Sequence, residues 1–336
     1  MLKKVSIKDI AEKVGVSTAL VSYVMNGKEK EKRVGAEVVK KIRETASEMN
    51  YVPNQIARSL RKGNTKTLGL ILADIANPFF GTLARVVEDE ASKYGFTVII
   101  GSSDENCDKL GALVDTFYTR QVDGYLIVPT EGAMPHISKL LKNNEPVVLV
   151  DRYFKELDVN YVLLDNYAAT FEATLYLIEK GYKRIGMVAH KSELVHMQER
   201  VRGYCAAMTS GNLANEIWVE HVRYDHAQND TRKVLEKMTK GEVKVDAVIL
   251  ATNSLSVNSL YYFKEANLKI PADFGIIGFD GNEVFDFFYS PLTYISQPVD
   301  EMGKEAVRMI IDQINGSRKT VQVKLKHQLI MGQSCR

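Results

Sequence analysis

Two very short helices near the N-terminus constrain the fold of this chain more than any other stretch. Ser6 and Asp9 are a capping pair at the spacing of a helix start, and apolar residues follow at helical spacing. Gly15 predicts the end of this helix, and Ser17 can cap a second helix over Thr18–Met25. Two short helices joined by a tight turn that contains glycine form a helix-turn-helix arrangement.

The second helix is the element expected to meet DNA, because in this arrangement it enters the major groove with its N-terminus first. Leu20, Val21 and Val24 are expected to face a small core. An ordinary helical hairpin is the alternative, since helix-turn-helix patterns are short and degenerate. The predicted DNA-binding residues of this region are Ser6, Ser17, Thr18, Ala19, Ser22, Tyr23 and Asn26.

The distribution of charge favours the DNA-binding interpretation. The whole chain carries 44 Lys and Arg against 42 Asp and Glu, a net charge of +2. Residues 1–62 hold 14 basic and 7 acidic side chains, a net +7, so the remaining residues carry 30 against 35, a net −5. A basic first part followed by an acidic remainder indicates that the first part binds a polyanion.

A third helix is predicted over about residues 37–50, and it would close a three-helix head. After Pro53, residues 54–60 provide only about two helical turns, which are too short to be stable alone in water. This hinge should fold only against something else, and a polar linker follows it. The apolar stripe predicted for the third helix is Val38, Ile42, Ala46 and Met49.

Four motifs of this region match a known pattern: Ile7-Lys8-Asp9-Ile10-Ala11, Val14-Gly15-Val16-Ser17, Val21-Ser22 and Tyr51-Val52-Pro53-Asn54. With Ala57 and Leu60, they resemble the head and hinge of the lactose-repressor (LacI/GalR) family. The resemblance implies that the hinge helices of a dimer fold together in the minor groove, where Leu60 wedges between base pairs. The DNA contacts it implies for the hinge are Asn54, Ala57, Arg58 and Leu60.

From Leu68 onward, short apolar runs alternate with helical stretches, which predicts α/β architecture with doubly wound parallel sheets. Two such series predict two lobes, and a ligand would bind in the cleft between them, at the carboxyl ends of the strands. The predicted domains are a head (1–52), a hinge and linker (53–66) and a body (67–336). Lobe one is placed at about 67–165 and 296–325, and lobe two at about 166–295 and 326–336.

The sequence contains no recognisable catalytic motif. A dinucleotide-binding enzyme is the rival for such a body, but the first strand–helix turn, Ala73–Phe80, has no GxGxxG. GxxxxGK[ST], GxSxG and HExxH are also absent, and the three cysteines form no CxxC pair. We therefore expect no enzyme, cofactor or metal. The N-terminal residues lack the apolar segment of a secretory signal, so we expect a cytoplasmic protein.

The body, Leu68 to Gln333, resembles the effector-binding core of the same family, which is similar to periplasmic sugar-binding proteins. Marks of the resemblance include Asn77-Pro78-Phe79-Phe80, Ala251-Thr252-Asn253 and Ile277-Gly278-Phe279-Asp280. It implies that carboxylate, guanidinium and amide groups bind an effector's hydroxyls, while aromatic rings face its apolar side. The effector-binding residues so predicted are Phe79, Phe80, Asp151, Arg200, Asn253, Asp280 and Gln297. His226 is added as a further residue of the cleft.

Each of these residues also has a structural alternative. Asp280 and Asn253 follow strands directly and could cap turns, and a lone histidine such as His226 is more often structural. Purine-binding members of the family carry an additional arginine where this chain has Leu194, so a purine effector is disfavoured.

Together these features predict a transcriptional repressor that binds a palindromic operator as a homodimer and responds to a small carbohydrate-like effector. The alternative is a cytoplasmic sensor or solute-binding protein without transcriptional action.

Overall fold

The computed structural model describes residues 5–51, 64–242 and 244–336. The chain divides into two compact units, Met1–Thr65 and Lys66–Arg336. The described residues of the first unit form helices and no strand, and the second unit consists of two α/β lobes, as the sequence predicts. None of the helices in the described part of the chain is long and apolar enough to cross a bilayer.

The head contains helices α1 (Ile7–Val14), α2 (Thr18–Met25) and α3 (Ala36–Glu48). A capping box at Ser6 and Asp9 begins α1, and Gly15 ends it in the left-handed conformation with φ of 80°. Ile10, Val21 and Ile42, one from each helix, are fully buried at the centre of the head. The three helices therefore stabilise one another through a small shared core.

The predicted apolar stripe of α3 is confirmed. Ile42 and Ala46 are buried, and Val38 and Met49 are partly buried and pack against the same core. The buried face of the helix also includes Val39 and Thr45, so it is wider than the predicted stripe. Leu20 of α2 is partly buried and packs against this core as well.

Lobe one is built on a six-stranded sheet with the order β11-β5-β4-β3-β1-β2, in which every pair is parallel. Helix α12 packs on α4 and on the strands β3, β4 and β5 of this sheet. The strands are β1 (Thr67–Leu72), β2 (Thr97–Ser102), β3 (Gly124–Ile127), β4 (Val147–Val150), β5 (Asn160–Leu164) and β11 (Gln322–Leu325). The helices of this lobe are α4 (Pro78–Lys93), α5 (Cys107–Thr119), α6 (Met134–Lys142) and α12 (Val299–Ile314).

Lobe two is built on a second six-stranded sheet with the order β12-β10-β9-β8-β6-β7. Its strands are β6 (Ile185–His190), β7 (Trp218–Val222), β8 (Ala247–Leu250), β9 (Gly275–Phe279), β10 (Thr293–Ser296) and β12 (Gln328–Ile330). Its helices are α7 (Asn166–Glu179), α8 (Val195–Ser210), α9 (Ala227–Lys240), α10 (Asn253–Glu265) and α11 (Glu283–Phe287), with a 3-10 turn at Ala214–Glu216. The strands of this sheet are parallel, as predicted, except at one edge, where β12 pairs antiparallel with β10.

The antiparallel strand follows from the path of the chain between the lobes. The chain passes from β5 to α7, from β10 to α12, and from β11 to β12, so it changes lobe three times. Only two residues, Lys326 and His327, separate β11 from β12. Since the carboxyl ends of β11 and β10 both face the cleft between the lobes, so short a connection makes β12 start at the cleft and run away from it, opposite to β10.

The two sheets repeat the same strand order, β2-β1-β3-β4-β5 in lobe one and β7-β6-β8-β9-β10 in lobe two. Strand β4 therefore corresponds to β9 by position. The carboxyl ends of these strands carry the residues of the cleft described below.

Candidate functional site

The exposed face of α2 carries the residues predicted to meet bases. Thr18 and Ala19 are exposed, and Ser22 and Tyr23 are partly buried. The Lys32 ammonium group lies 5.8 Å from the centre of the Tyr23 ring. The face is polar and small, with a cation beside its one aromatic ring.

Three other predicted DNA contacts are engaged within the head. The Ser17 hydroxyl accepts a 3.2 Å hydrogen bond from the Leu20 backbone N–H, and Ser6 is part of the capping box. Asn26 donates from Nδ2 to the Ser22 backbone oxygen at 2.7 Å. These side chains therefore stabilise the ends of the two helices. Any contact that they make with DNA phosphates comes in addition to this structural role. Asn54, Ala57, Arg58 and Leu60 lie outside the described residues.

A cavity of about 120 Å³ opens where the carboxyl ends of the strands of both sheets face each other. The space is enough for several waters or for a small ligand that displaces them. Of the eight predicted effector residues, six line it: Phe79, Phe80, Asp151, Arg200, Asp280 and Gln297. Residues that sequence reasoning did not assign to the site also line it, among them Asn77, Glu105, Glu131, Arg152, His190, His196 and Tyr224.

Two aspartates occupy equivalent places in the two lobes. Asp151 directly follows β4 and Asp280 directly follows β9, and both adopt left-handed backbone, with φ of 68° and 60°. Both side chains are buried, and burial raises both carboxyl pKa values, that of Asp280 to about 6. Aspartate tolerates left-handed backbone better than most residues, and its occurrence after both strands shows that the two lobes end equivalent strands in the same kind of turn.

Arg200 is a buried cation of lobe two. Its Nε donates to Asn166 Oδ1 and one terminal nitrogen donates to the Ala251 carbonyl, both at 2.7 Å. The guanidinium lies 3.6 Å from the centre of the Phe279 ring, a cation–π contact. Burial lowers the pKa of Arg200, while Asp280 and Asp151 act in the opposite direction. Arg200 therefore both supports lobe two and places a positive charge beside the two aspartates.

Arg152 and Glu105 form a second charged pair in lobe one. The two terminal nitrogens of Arg152 donate to the two carboxylate oxygens of Glu105, each at 2.7 Å. The Arg152 Nε lies 3.4 Å from an Asp151 oxygen, and its guanidinium lies 5.7 Å from the centre of the Phe80 ring. Burial opposes the charged form of Arg152, but Glu105 outweighs it and the pKa of Arg152 is raised. The pair is thus a stable, bidentate ion pair.

Among the described residues, two side-chain oxygens of the cleft lack a hydrogen-bond partner, and so do Arg152 Nε and the Nδ1 atoms of His190 and His196. Gln297 donates from Nε2 to Asp280 Oδ1 at 2.9 Å, while its Oε1 is buried without a partner. Asp151 Oδ1 is buried without a partner as well. A buried acceptor without a partner is costly, so both atoms call for a donor from a ligand or a water.

Two histidines contribute neutral rings to the same cavity. His190 ends β6, and its Nε2 lies 3.3 Å from the Ser254 hydroxyl oxygen. Burial lowers the pKa of His190 to about 4, and burial lowers that of His196 well below its usual value. Both rings are uncharged near neutral pH. They could have been found from the sequence, because His190 ends a strand and His196 lies one helical turn before Arg200.

Two predicted effector residues do not line the cavity. His226 is exposed at the start of α9, where its Nε2 lies 3.4 Å from an Asp225 oxygen. Asn253 is buried and donates from Nδ2 to the Asp280 backbone oxygen at 3.3 Å. This contact fits the structural alternative for Asn253, because its side chain stabilises the turn that carries Asp280.

A direct hydrogen-bonded contact joins the two lobes at the mouth of the cavity. Glu131 follows β3 in lobe one, and its Oε1 accepts from the Ser192 hydroxyl at 2.8 Å and from the Glu193 N–H at 2.5 Å, both in lobe two. The lobes therefore meet around the cavity. Among the described residues, no group of three or more His, Cys, Asp or Glu side chains is arranged to hold a metal ion.

The protein has a helical head and, after it, two facing α/β lobes with a polar and aromatic cavity between them. This combination defines a class of DNA-binding proteins that also bind a small ligand. Residues 6–54 match the family of bacterial regulatory proteins of the lacI type. Residues 65–331 match the periplasmic binding proteins and sugar binding domain of the LacI family. The chain belongs to the LacI family.

Individual relatives agree with this assignment. Catabolite control protein A of Priestia megaterium is 31% identical over 335 residues, which cover 98% of this chain and 99% of the relative. The HTH-type transcriptional repressor CytR of Escherichia coli is 30% identical over 312 residues, covering 93% and 90%. A structure of the Lac repressor dimer bound to operator and the anti-inducer ONPF shares the fold, with a TM-score of 0.87 at 19% identity over 99% of both chains.

These matches confirm the predicted class of protein. The chain is a transcriptional regulator with a helix-turn-helix head, and its family consists of regulators and not of enzymes.

Proposed function

We propose that the protein represses transcription by binding a palindromic operator as a homodimer in the cytoplasm, and that a carbohydrate-like effector in the interlobe cleft controls the binding. The observation that carries the effector assignment is the cavity itself. It joins the rings of Phe79 and Phe80 to buried carboxylate, guanidinium and amide groups from both lobes. Repression is supported by the relative CytR, which is named a repressor, and dimerisation by the Lac repressor dimer.

The chemistry of the cavity suits a molecule with several hydroxyl groups. Asp151 Oδ1 and Gln297 Oε1 are acceptors without partners, and a hydroxyl can donate to each. Phe79 and Phe80 lie edge to face, with ring centres 5.0 Å apart, and offer an apolar wall to the C–H face of a sugar ring. Metal coordination and covalent chemistry are not needed to explain any of these groups.

The division of the chain supports control at a distance. We assign residues 1–52 to the head, 53–66 to the hinge and linker, and 67–336 to the body, with lobe one at about 67–165 and 296–325. The effector residues come from both lobes, so a ligand that binds them together favours one relative position of the lobes. In a dimer, such a change would alter the spacing of the two hinge segments and with it their ability to fold on DNA.

The proposed function predicts two coupled measurements. The full-length protein should retard genomic DNA fragments that contain an inverted repeat, and a library of mono- and disaccharides should contain a member that raises the melting temperature. At 100 times its dissociation constant, that sugar should add about 2.7 kcal/mol of stability. The same sugar should change operator affinity in a titration by fluorescence anisotropy.

The DNA-binding and sugar-binding measurements test different parts of the proposal. If a sugar stabilises the protein but no DNA fragment is bound, the protein is a sensor without transcriptional action. If DNA is bound but none of the sugars alters either stability or operator affinity, the effector part of the proposal is wrong.

A further inference from the structure

We infer that Glu105 sets the charge selectivity of the cleft: by occupying the guanidinium of Arg152, it makes the site accept uncharged polyols and reject their phosphate esters. This inference rests on the proposed function, because it concerns the effector of the same cleft. It adds a specificity-determining residue that lies outside the predicted set.

The contacts of Arg152 leave little of its guanidinium for a ligand. Glu105 takes both terminal nitrogens in a bidentate pair, and one of these nitrogens also lies 3.3 Å from the Pro129 carbonyl oxygen. Nε is in ion-pair contact with an Asp151 oxygen at 3.4 Å, without a hydrogen bond. The side chains of Arg152 and Glu105 are 9% and 14% exposed, so the pair is shielded from screening by solvent. A phosphate would have to displace Glu105 to obtain the same fork of donors.

The backbone at Glu105 is held in an unfavourable conformation. Asp104 and Glu105 are consecutive left-handed residues, with φ of 52° and 55°. The Asp104 carboxylate accepts from the Ser102 hydroxyl at 2.6 Å and pairs with Lys109, which fixes the turn. Strained backbone that directs a carboxylate towards a buried arginine in a cavity indicates a functional reason for the strain.

The charge balance of the whole cavity also disfavours an anion. The charged residues that line it are the acids Glu105, Glu131, Asp151 and Asp280 and the bases Arg152, Lys191 and Arg200. When all are ionised, four negative charges face three positive ones. Arg200 already serves Asn166 and the Ala251 carbonyl, and Lys191 is exposed.

The two histidines add no positive charge to the cavity. With its pKa lowered to about 4, His190 is uncharged near neutral pH, and so is His196. A phosphate ester brings a charge of about −1.5 to −2 and mostly acceptor oxygens. Of the unpartnered atoms, Asp151 Oδ1 and Gln297 Oε1 need donors, which a hydroxyl supplies, whereas Arg152 Nε is a donor that lies 3.4 Å from an Asp151 oxygen. The negative balance of charge and the two buried acceptors therefore favour the free sugar over its ester.

The test compares matched ligand pairs by calorimetry and thermal shift with the full-length protein. D-Ribose is compared with D-ribose 5-phosphate, D-glucose with D-glucose 6-phosphate, and any other sugar found to stabilise the protein with its own phosphate. The parent protein should bind the free sugar at least a hundredfold more tightly than the ester. Parent protein that binds an ester as tightly as the free sugar overturns the inference and leaves the proposed function standing.

Three variants identify the residue responsible. Glu105→Gln keeps the shape of the side chain and removes its charge, so the ratio of ester affinity to sugar affinity should rise at least tenfold. Glu105→Gln with Arg152→Gln removes both charges and should return that ratio to the parent value. Glu220→Gln disrupts an ion pair with Lys237 elsewhere in lobe two and should leave the ratio unchanged.

The outcomes distinguish the role of Glu105 from the proposed effector function of the cleft. A ratio that stays at the parent value in a folded Glu105→Gln protein overturns the role of Glu105, and so does a ratio that stays high in the double variant. If Glu105→Gln does not fold, Glu105→Asp, whose side chain is one methylene too short for the bidentate pair, should show the raised ratio in its place, and a ratio at the parent value in that variant overturns the role of Glu105. If neither sugars nor esters change the melting temperature or operator binding of the parent, the proposed effector function fails, and this inference fails with it.

Discussion

Asp151 and Asp280 each place one buried carboxyl group in the cleft. The two lobes repeat one strand order, and the equivalent strands β4 and β9 both end in a buried, left-handed aspartate. Burial raises the pKa of each carboxyl group, and nearby guanidinium groups oppose this less strongly, Arg152 and Arg200 at Asp151 and Arg200 at Asp280. An internal repeat thus supplies facing carboxylates that a single lobe could not place.

The raised pKa of Asp280 predicts a pH dependence of stability. Its carboxyl group titrates at about 6 in the folded chain and at about 3.9 in the unfolded chain, so the folded chain binds the proton more tightly. This group therefore favours folding below pH 4, and its contribution is lost as the pH rises through 6, by up to roughly 3 kcal/mol. Urea unfolding of the parent and of Asp280→Asn should show the variant gaining relative stability between pH 4 and pH 7. A difference that does not change with pH would contradict the assignment.

Asp280→Asn should also weaken the effector response. Loss of a charge-assisted hydrogen bond worth about 1.5 to 3 kcal/mol corresponds to roughly ten- to hundredfold weaker effector binding. Operator affinity without effector should stay near that of the parent, as measured by anisotropy. Arg200→Ala is a poorer test, because Arg200 also holds Asn166 and the Ala251 carbonyl, and its loss would destabilise lobe two. Equal effector affinity in parent and Asp280→Asn would remove Asp280 from the site.

At the level of elements, the pair α7 and α8 positions the cleft in lobe two. Arg200 lies on α8, and its backbone oxygen accepts a 2.7 Å hydrogen bond from Thr170 of α7. Gly203 allows this close approach, since a Cβ there would lie 2.3 Å from the Tyr167 backbone oxygen. The position of Arg200 therefore depends on a helix contact that only glycine permits.

Gly203→Ala should destabilise the body, and Gly81→Ala is its matched control. The added methyl group at Gly203 meets backbone, so the helices must separate, at a cost of about 1 to 3 kcal/mol. A Cβ at Gly81, in α4, would meet nothing within 4 Å, and alanine favours helix by about 1 kcal/mol. The free energy of unfolding in urea should fall for the first variant and stay equal or rise for the second. Equal effects of the two substitutions would show that the close contact is unimportant.

The accuracy of the sequence prediction varied with the kind of element. Strands β4, β8 and β9 are the easiest to recognise in the sequence, because each is a continuous apolar run buried on both faces. Strand β7 is hard to recognise, because it lies at a sheet edge, is only partly buried and mixes charged with apolar residues. The buried residues of helix α12 recur at helical spacing, so the sequence does carry a signal for this helix.

The site was predictable only in part for a similar reason. Sequence resemblance pointed to six residues that line the cavity, but not to Glu105, whose importance comes from its pair with Arg152. These residues are 47 positions apart, and no local pattern links them. Only the folded sheet, which places β2 and β4 on either side of β1 and β3, makes the pair possible.

For the molecule as a whole, the separation of charge predicts how DNA binding responds to salt. The net +7 of residues 1–62 should neutralise phosphates and release counterions. The logarithm of operator affinity should therefore fall linearly with the logarithm of salt concentration, with a slope of about −0.9 per phosphate contacted. Anisotropy titrations at increasing potassium chloride would measure the slope, and an affinity independent of salt would rule out the predicted interface.

Leu60 gives a second whole-molecule prediction, made from the sequence because the residue lies outside the described part of the chain. Leu60→Ala should weaken operator binding and reduce DNA bending, since an apolar wedge is lost. The melting temperature of the free protein should stay nearly unchanged. A loss of the ~2 to 5 kcal/mol typical of a core leucine would show that Leu60 stabilises the body instead.

The path of the chain also sets the order in which its parts can become complete during synthesis. The head needs only residues near the beginning of the sequence, whereas β11 closes one edge of the lobe-one sheet and β12 closes one edge of the lobe-two sheet. Ser334 then joins β9 to the start of β10, donating to the Ile276 carbonyl and accepting from the Thr293 N–H. A ribosome that has not yet passed Gln322 therefore carries a finished head and two unfinished lobes. The part that recognises DNA is made well before the part that controls it.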